Sequence, residues 1–188
     1  MNHRTSFLGL LLFAAVAVFM TSNLGMDPAG AQEAAPAKAG PADGYTVHVS
    51  APHVVNGKTM GPYHHYCKVM SNDPKIVCLI YDSTDPNAML SQVEWIYAKK
   101  LTRAGVSRGT WNKNWHDHTL EIATGRVQVH DLPPDKAKEV ADLVSTTDGQ
   151  IYNFEMVDGI PTGKMTIAQS VGHKPLSAAE YKNNEAKK

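Results

Sequence analysis

Two short runs concentrate the donor chemistry of this chain. His64-His65-Tyr66-Cys67 and Trp115-His116-Asp117-His118 hold four of the nine histidines and one of the two cysteines. Imidazole and thiolate bind borderline and soft metal ions, whereas oxygen-only sets favour magnesium or calcium. Both runs read as β-strand, in which residues i and i+2 share a face. His65 and Cys67 therefore project together, as do His116 and His118. The candidate metal ligands are His65, Cys67, His116 and His118, with His64 and Glu121 as alternates, and zinc, copper or iron as the ions they suit. Two other readings stand beside this one. Tyr, Trp and His are common on half-buried sheets, where their polar tips find hydrogen-bond partners, and Asp117 then orients a histidine structurally. Alternatively the histidines act without a metal, or Cys67 beside His65 or His116 serves as an activated thiolate.

These residues need a scaffold to bring them together. The alternation Tyr45 to Val49 gives a short strand, and Asn56-Gly57 gives a tight turn. Tyr63–Met70 and Lys75–Tyr81 read as strands joined by the turn sequence Ser71-Asn72-Asp73-Pro74. A hairpin symmetric about Asn72-Asp73 sets Cys67 opposite Cys78, within reach of a disulfide. That bond and a Cys67 metal thiolate exclude each other. The segment 90–96 reads as a strand passing into a helix by Ala98. Thr110 to Leu120 carries the second histidine run, and Val127–Val129 is a short strand. Pro133-Pro134 opens an amphipathic helix to Ser145, with proline tolerated at the start. Asp148-Gly149 reads as a turn, Ile151–Met156 as a strand, Gly159 to Lys164 as a hairpin turn, and Lys164–Gln169 as a last strand. The fold class expected is α+β, a mostly antiparallel sheet with one or two packed helices.

Composition narrows the class. Of 188 residues, 43% are hydrophobic and 19% charged, so the chain can bury a core. Eighteen basic and eighteen acidic residues cancel, which leaves no electrostatic footprint for nucleic acid. Phe7 to Met20 is an apolar or small-residue run of 14 residues after Arg4, shorter than the roughly 20 needed to span a bilayer. It reads as the h-region of a secretory leader, with Ala29-Gly30-Ala31 as a cleavage site. The expected organisation is a signal peptide at 1–31, a flexible Ala/Pro/Gly linker at 32–44, one domain at 45–176 and a polar tail at 177–188. The expected location is the periplasm or the extracellular space, with membrane contact only through the leader.

Four motifs occur in a set order: His64-His65-Tyr66-Cys67, then Cys78-Leu79-Ile80-Tyr81-Asp82-Ser83, then Asn87-Ala88 through Val93-Glu94-Trp95-Ile96, then Trp115-His116-x-His118. Together they resemble the oil-body-associated-protein-like family, a domain of unknown function, over about residues 60–165. The resemblance implies a fold and domain limits. It implies no catalytic residues, because no enzymatic activity is established for the family. Its plant members are intracellular, whereas this chain carries an export signal, so a bacterial envelope protein of the same fold is the expectation.

The functional expectation is binding rather than turnover, with a transition-metal site on the two histidine-rich strands. A small metal- or His-dependent enzyme such as a hydrolase is one alternative. An apolar or lipid-ligand module, with Tyr66, Trp95 and Trp115 lining a groove, is the other. Gly109, His116, His118, Glu121 and Gly125 echo the cupin pattern, but the spacings differ and no second histidine motif follows. Gly159 to Lys164 lacks phosphate-loop spacing.

Overall fold

The computed structural model describes residues 40–183; the leader at 1–31 and the linker up to residue 39 lie outside them. The elements are β1 (Val47–Val55), β2 (Lys58–Ser71), β3 (Lys75–Tyr81), β4 (Leu90–Ala98), α1 (Lys99–Gly105), α2 (Arg108–Asn114), β5 (His116–Asp117), α3 (Thr119–Ala123), β6 (Gln128–Val129), α4 (Pro134–Ser145), β7 (Thr147–Val157), β8 (Ile160–Ser170) and α5 (Ala178–Asn183). The class is therefore a mostly antiparallel sheet with five short helices among the described residues, more helices than the sequence suggests.

Strand pairing runs β2-β3-β4-β7-β8-β1, and β1 pairs again with β2. Every pairing is antiparallel, so six strands close into a ring without free edges. Local chemistry explains the hairpins. Asn56 (φ 49°) with Gly57 (φ 78°), and Asp158 (φ 50°) with Gly159 (φ 78°), supply the consecutive left-handed residues of two-residue β-turns. The β2–β3 turn is one residue longer than the symmetric expectation, since Ser71 pairs with Lys75, but an irregularity between Val69 and Ser71 restores the expected register, with His64 opposite Tyr81 and Cys67 opposite Cys78. Cys67 and Cys78 are joined by a disulfide.

Side-chain alternation divides each strand between the ring's inside and outside. Val55, Tyr63, Cys67, Ile76, Cys78, Ile80, Ile96, Ile151 and Ala168 form the apolar interior. Helix α4 lies beside α3 and β6, with Val140, Leu143 and Val144 facing the interior cavity. A second apolar cluster joins Trp111 and Trp115 to Tyr181 of α5, and the Tyr181 hydroxyl donates to the Val106 carbonyl.

The differences from expectation have local causes. The second histidine run is no long strand: a two-residue bridge, β5, sits between α2 and α3. Ser107 starts α2 as a capping residue, its hydroxyl accepting from Thr110 N–H at 3.2 Å. Asp148-Gly149 is no turn but lies within β7, paired on both sides, with Tyr97 and Ile96 of β4 and with Asp117 and His116 of β5. The turn after β7 is Asp158-Gly159, so residues 160–164 are strand. Residues 177–183 are not simply a polar tail, because α5 buries Tyr181.

Candidate functional site

Strand β4 carries the central residue. Its buried positions are Gln92, Glu94, Ile96 and Ala98, while Trp95 is exposed. The sequence favours the opposite face, with Val93, Trp95 and Tyr97, because that face is the apolar one. Inside the ring the Glu94 carboxylate meets two imidazoles. His116 Nε2 lies 3.2 Å from Glu94 Oε1, His118 Nε2 lies 3.2 Å from the same oxygen, and the two Nε2 atoms are 3.2 Å apart. All three side chains are buried.

The triangle exists because the chain around it is pinned. His116 pairs with Gly149 and Asp117 with Asp148. Asp148 receives a bidentate pair from Arg103, Nε–Oδ2 2.7 Å and Nη2–Oδ1 2.6 Å, and the Trp111 indole N–H at 2.9 Å. The Thr102 hydroxyl also donates to Asp148. The Arg103 guanidinium stacks over Trp111 at 4.2 Å and reaches Asp117. Lys99 holds the other Asp117 oxygen at 2.7 Å. This buried network ties α1, α2 and β5 to β7, so it fixes the backbone on either side of His116.

Gly149 leaves the space. A Cβ there would overlap Glu94 Oε1 and come within 2.7 Å of His116 Nε2 and 2.8 Å of His118 Cε1. Its φ is not in the left-handed region, so room, rather than backbone freedom, explains the glycine.

Hydrogen bonds define the protonation of the histidines. His118 Nδ1 donates to Thr147 Oγ1 at 2.9 Å, because that hydroxyl spends its own proton on the Val144 carbonyl at 2.6 Å. The neutral His118 therefore presents a bare Nε2 to the triangle. Three electron-rich atoms at mutual contact require a positive charge among them, either a proton or a metal ion. Burial alone would raise the Glu94 carboxyl, but hydrogen bonds from His116 and His118 hold it well below the usual carboxylate range. Burial opposes a charge on His118, yet its hydrogen bond and attraction to Glu94 lift it to about 9. Glu121, 4.0 Å from His116 Nε2, is raised chiefly by burial.

A second imidazole pair adjoins the triangle. His65 Nε2 is 3.7 Å from Glu94 Oε2 and 3.1 Å from His53 Nε2. His65 Nδ1 donates to the Tyr63 carbonyl at 3.1 Å, and His53 Nδ1 donates to Gln92 Oε1 at 2.6 Å. Gln92 is oriented in turn by its amide donating to Asn153. Burial, then the neighbouring imidazole, pushes His53 down to about 3. Burial takes His65 down to about 4 in spite of Glu94. Burial thus keeps both imidazoles uncharged near pH 7.

The sequence-derived ligand set is thus divided. His65, His116, His118 and Glu121 come together in the ring. Cys67 does not join them as a ligand: its sulfur is bonded to Cys78, and a disulfide sulfur is no thiolate. The same bond removes Cys67 as a nucleophile. His64 faces the outside, with His48 and His130. The aromatic groove is also divided. Trp95 and Trp115 line one outer groove with Tyr97, whereas Tyr66 lines another with Tyr45 and Tyr81. Glu94, His53 and Gly149 were missed. The signal for Glu94 was a lone carboxylate in the apolar strand LSQVEWIYA, in phase with the inward residues Gln92 and Ile96.

The triangle opens on a cavity of about 60 Å³, which His53, His65, Glu121 and the two cysteines also line beside aliphatic residues of the sheet and α4. That is room for about four water-sized groups. An ion about 2.1 Å from three donors spaced in this way sits about 1 Å off their plane, which leaves coordination positions on one side.

Comparison with known proteins agrees with the family resemblance. The chain is 29% identical over 126 residues to oil body-associated protein 1B of Arabidopsis thaliana, an alignment covering 62% of this chain and 51% of that protein. The chain thus spans about half the length of that relative. No solved structure matches. The model of the family described as protein of unknown function (DUF1264) matches residues 39–187, and the chain belongs to that family.

Proposed function

We propose that this chain is a metal-binding protein whose barrel interior holds one transition-metal ion through Glu94, His116 and His118. The observation that carries the reading is the 3.2 Å triangle of Glu94 Oε1, His116 Nε2 and His118 Nε2, beside a glycine where any side chain would collide with Glu94 and crowd both histidines. Two imidazoles and a carboxylate suit zinc or ferrous iron. Thr147 sets the tautomer of His118, as a partner behind a ligand does. His65 lies beside the far Glu94 oxygen. The disulfide and the leader-like N-terminus support export to the periplasm or beyond, where disulfides persist.

Binding rather than turnover is the primary role. Titration of metal-free protein with Co(II), a spectroscopic stand-in for zinc, tests it. A d–d band component worth one equivalent that is present in the wild type and missing from Glu94→Gln and His118→Ala is the expected result. An unchanged band in both variants overturns the assignment. A second reading has one observation in its favour. The donor triangle faces a mostly apolar cavity that Glu121 also lines, and burial favours the protonated form of the Glu121 carboxyl. That arrangement fits metal-assisted chemistry on a small apolar molecule, with Glu121 as the proton donor.

A further inference from the structure

A separate group of histidines lies on the outside of the barrel. Two neighbouring strands and the residue after a third each bring one. His48 is on β1 and His64 on β2, diagonal to each other, since His48 pairs with Tyr66 and His64 with Ser50. His130 directly follows β6, its N–H donating to the His48 carbonyl at 2.9 Å. One ring nitrogen from each of the three lies within 4.8 Å of the others. The contacts are specific. His48 Nε2 meets His64 Nδ1 at 3.0 Å, and the His48 and His130 ring centroids are 4.5 Å apart.

The rings are held from behind. Asp131 Oδ2 accepts from His48 Nδ1 at 2.9 Å, which leaves the His48 Nε2 lone pair directed at His64. His130 Nε2 is engaged by Ser50 Oγ at 2.8 Å, which leaves its Nδ1. Tyr66 stacks on His48 at 4.6 Å with an interplanar angle of 10°. A carboxylate behind a histidine whose other nitrogen faces further imidazoles is the arrangement in which an outer partner orients a metal ligand. All three rings are partly exposed, so an ion can reach them from solvent.

We propose that His48, His64 and His130 form a second metal site, solvent-accessible and independent of the barrel interior, for a borderline divalent ion. An all-imidazole donor set ranks copper(II) above zinc, because affinity rises to copper along the first-row series. Asp131 is a positioning residue in this site. The inner and outer groups use different faces of β2, His65 inside and His64 outside, so each can be removed without the other.

The test uses the full chain without a histidine tag, titrated with copper(II) and, in parallel, zinc(II). Binding is followed by calorimetry, and copper coordination by electron paramagnetic resonance. In Glu94→Gln/His118→Ala protein, one equivalent of copper should remain, with nitrogen hyperfine structure from imidazole. His130→Ala and His64→Asn should each abolish that equivalent, and Asp131→Asn should weaken it about 10–100-fold. Thermal melts of the variants report whether the barrel is intact, and His64→Asn provides an outer-face change that keeps a polar side chain if His130→Ala melts early. A copper equivalent that persists in both His130→Ala and His64→Asn overturns the proposal. So does the absence of any copper equivalent in the interior-blocked protein. Loss of the interior equivalent alone would speak only to the barrel site.

Discussion

His116 and Gly149 pair across β5 and β7, and the missing side chain of Gly149 is what leaves His116 Nε2 open to Glu94 and His118. A ligand and the space for its ion are therefore fixed by one backbone pairing.

Gly149→Ala is expected to remove metal binding while the donors remain. The added methyl would sit 2.7 Å from His116 Nε2. Crowding a packed interior costs about 1–3 kcal/mol, so the protein should still fold. Calorimetric titration with zinc checks this: wild-type affinity in Gly149→Ala would contradict the geometry.

Asp148→Asn should unseat the second histidine run. Asp148 and the Arg103 side chain are fully buried and paired, and removing one charge of a buried pair costs about 3–5 kcal/mol. Urea denaturation is expected to show that loss, and zinc affinity should fall because β5 is no longer held. A change below about 1 kcal/mol would mean that the pair contributes no more than an exposed one.

The metal-free protein should be most stable near pH 6.5. His53 and His65 titrate near about 3 and about 4 when folded, against 6.5 when unfolded. Below pH 6.5 the unfolded chain therefore binds more protons, and stability falls as pH falls, by up to about 2.7 kcal/mol per pH unit for two groups. His118 has the opposite sign: raised to about 9, its contribution is complete below pH 6.5 and is lost as pH rises through 9. Zinc in place of the proton should flatten the alkaline side. Denaturation midpoints across pH 4–9 measure both effects, and a stability that rises from pH 6.5 to pH 4.5 would contradict the neutral burial of His53 and His65.

Some of this was legible in the residues. Turn chemistry at Ser71-Asn72-Asp73-Pro74 marked the β2–β3 hairpin, and the Cys67–Cys78 pairing was as expected, although an irregularity between Val69 and Ser71 that no residue signals was needed to set it. Alternation places His65 and Cys67 on one face of β2, although His64 stands as an alternate ligand. The site itself was harder to read because it inverts the usual polarity. Gln92 and Glu94 face inward and Trp95 outward, so an apolar-inside rule selects the wrong face of β4. His116 and His118 do share a direction, but through a two-residue bridge and the start of α3 rather than a long strand. Gly149 read as a turn because its role is to make room, and nothing in Asp148-Gly149 distinguishes the two uses. Closure of the ring depends on β1 pairing with both β2 and β8, contacts that no local pattern encodes.

Cys67→Ala/Cys78→Ala should destabilise the barrel by about 3 kcal/mol, the loop-closure value for a bridge spanning 11 residues. The native protein should show no free thiol on titration under denaturing conditions. Zinc affinity should be nearly unchanged, since neither sulfur is a ligand. A large loss of affinity in a folded double variant would return Cys67 to the metal site.

The most direct test is the metal content of the full chain purified without chelator, measured beside Glu94→Gln. The barrel site predicts about one equivalent of a transition metal in the wild type that is missing from the Glu94→Gln protein, since a ligand set of this kind binds tightly only when complete. Equal metal content in the two proteins, or less than about a tenth of an equivalent in the wild type so purified, would contradict it.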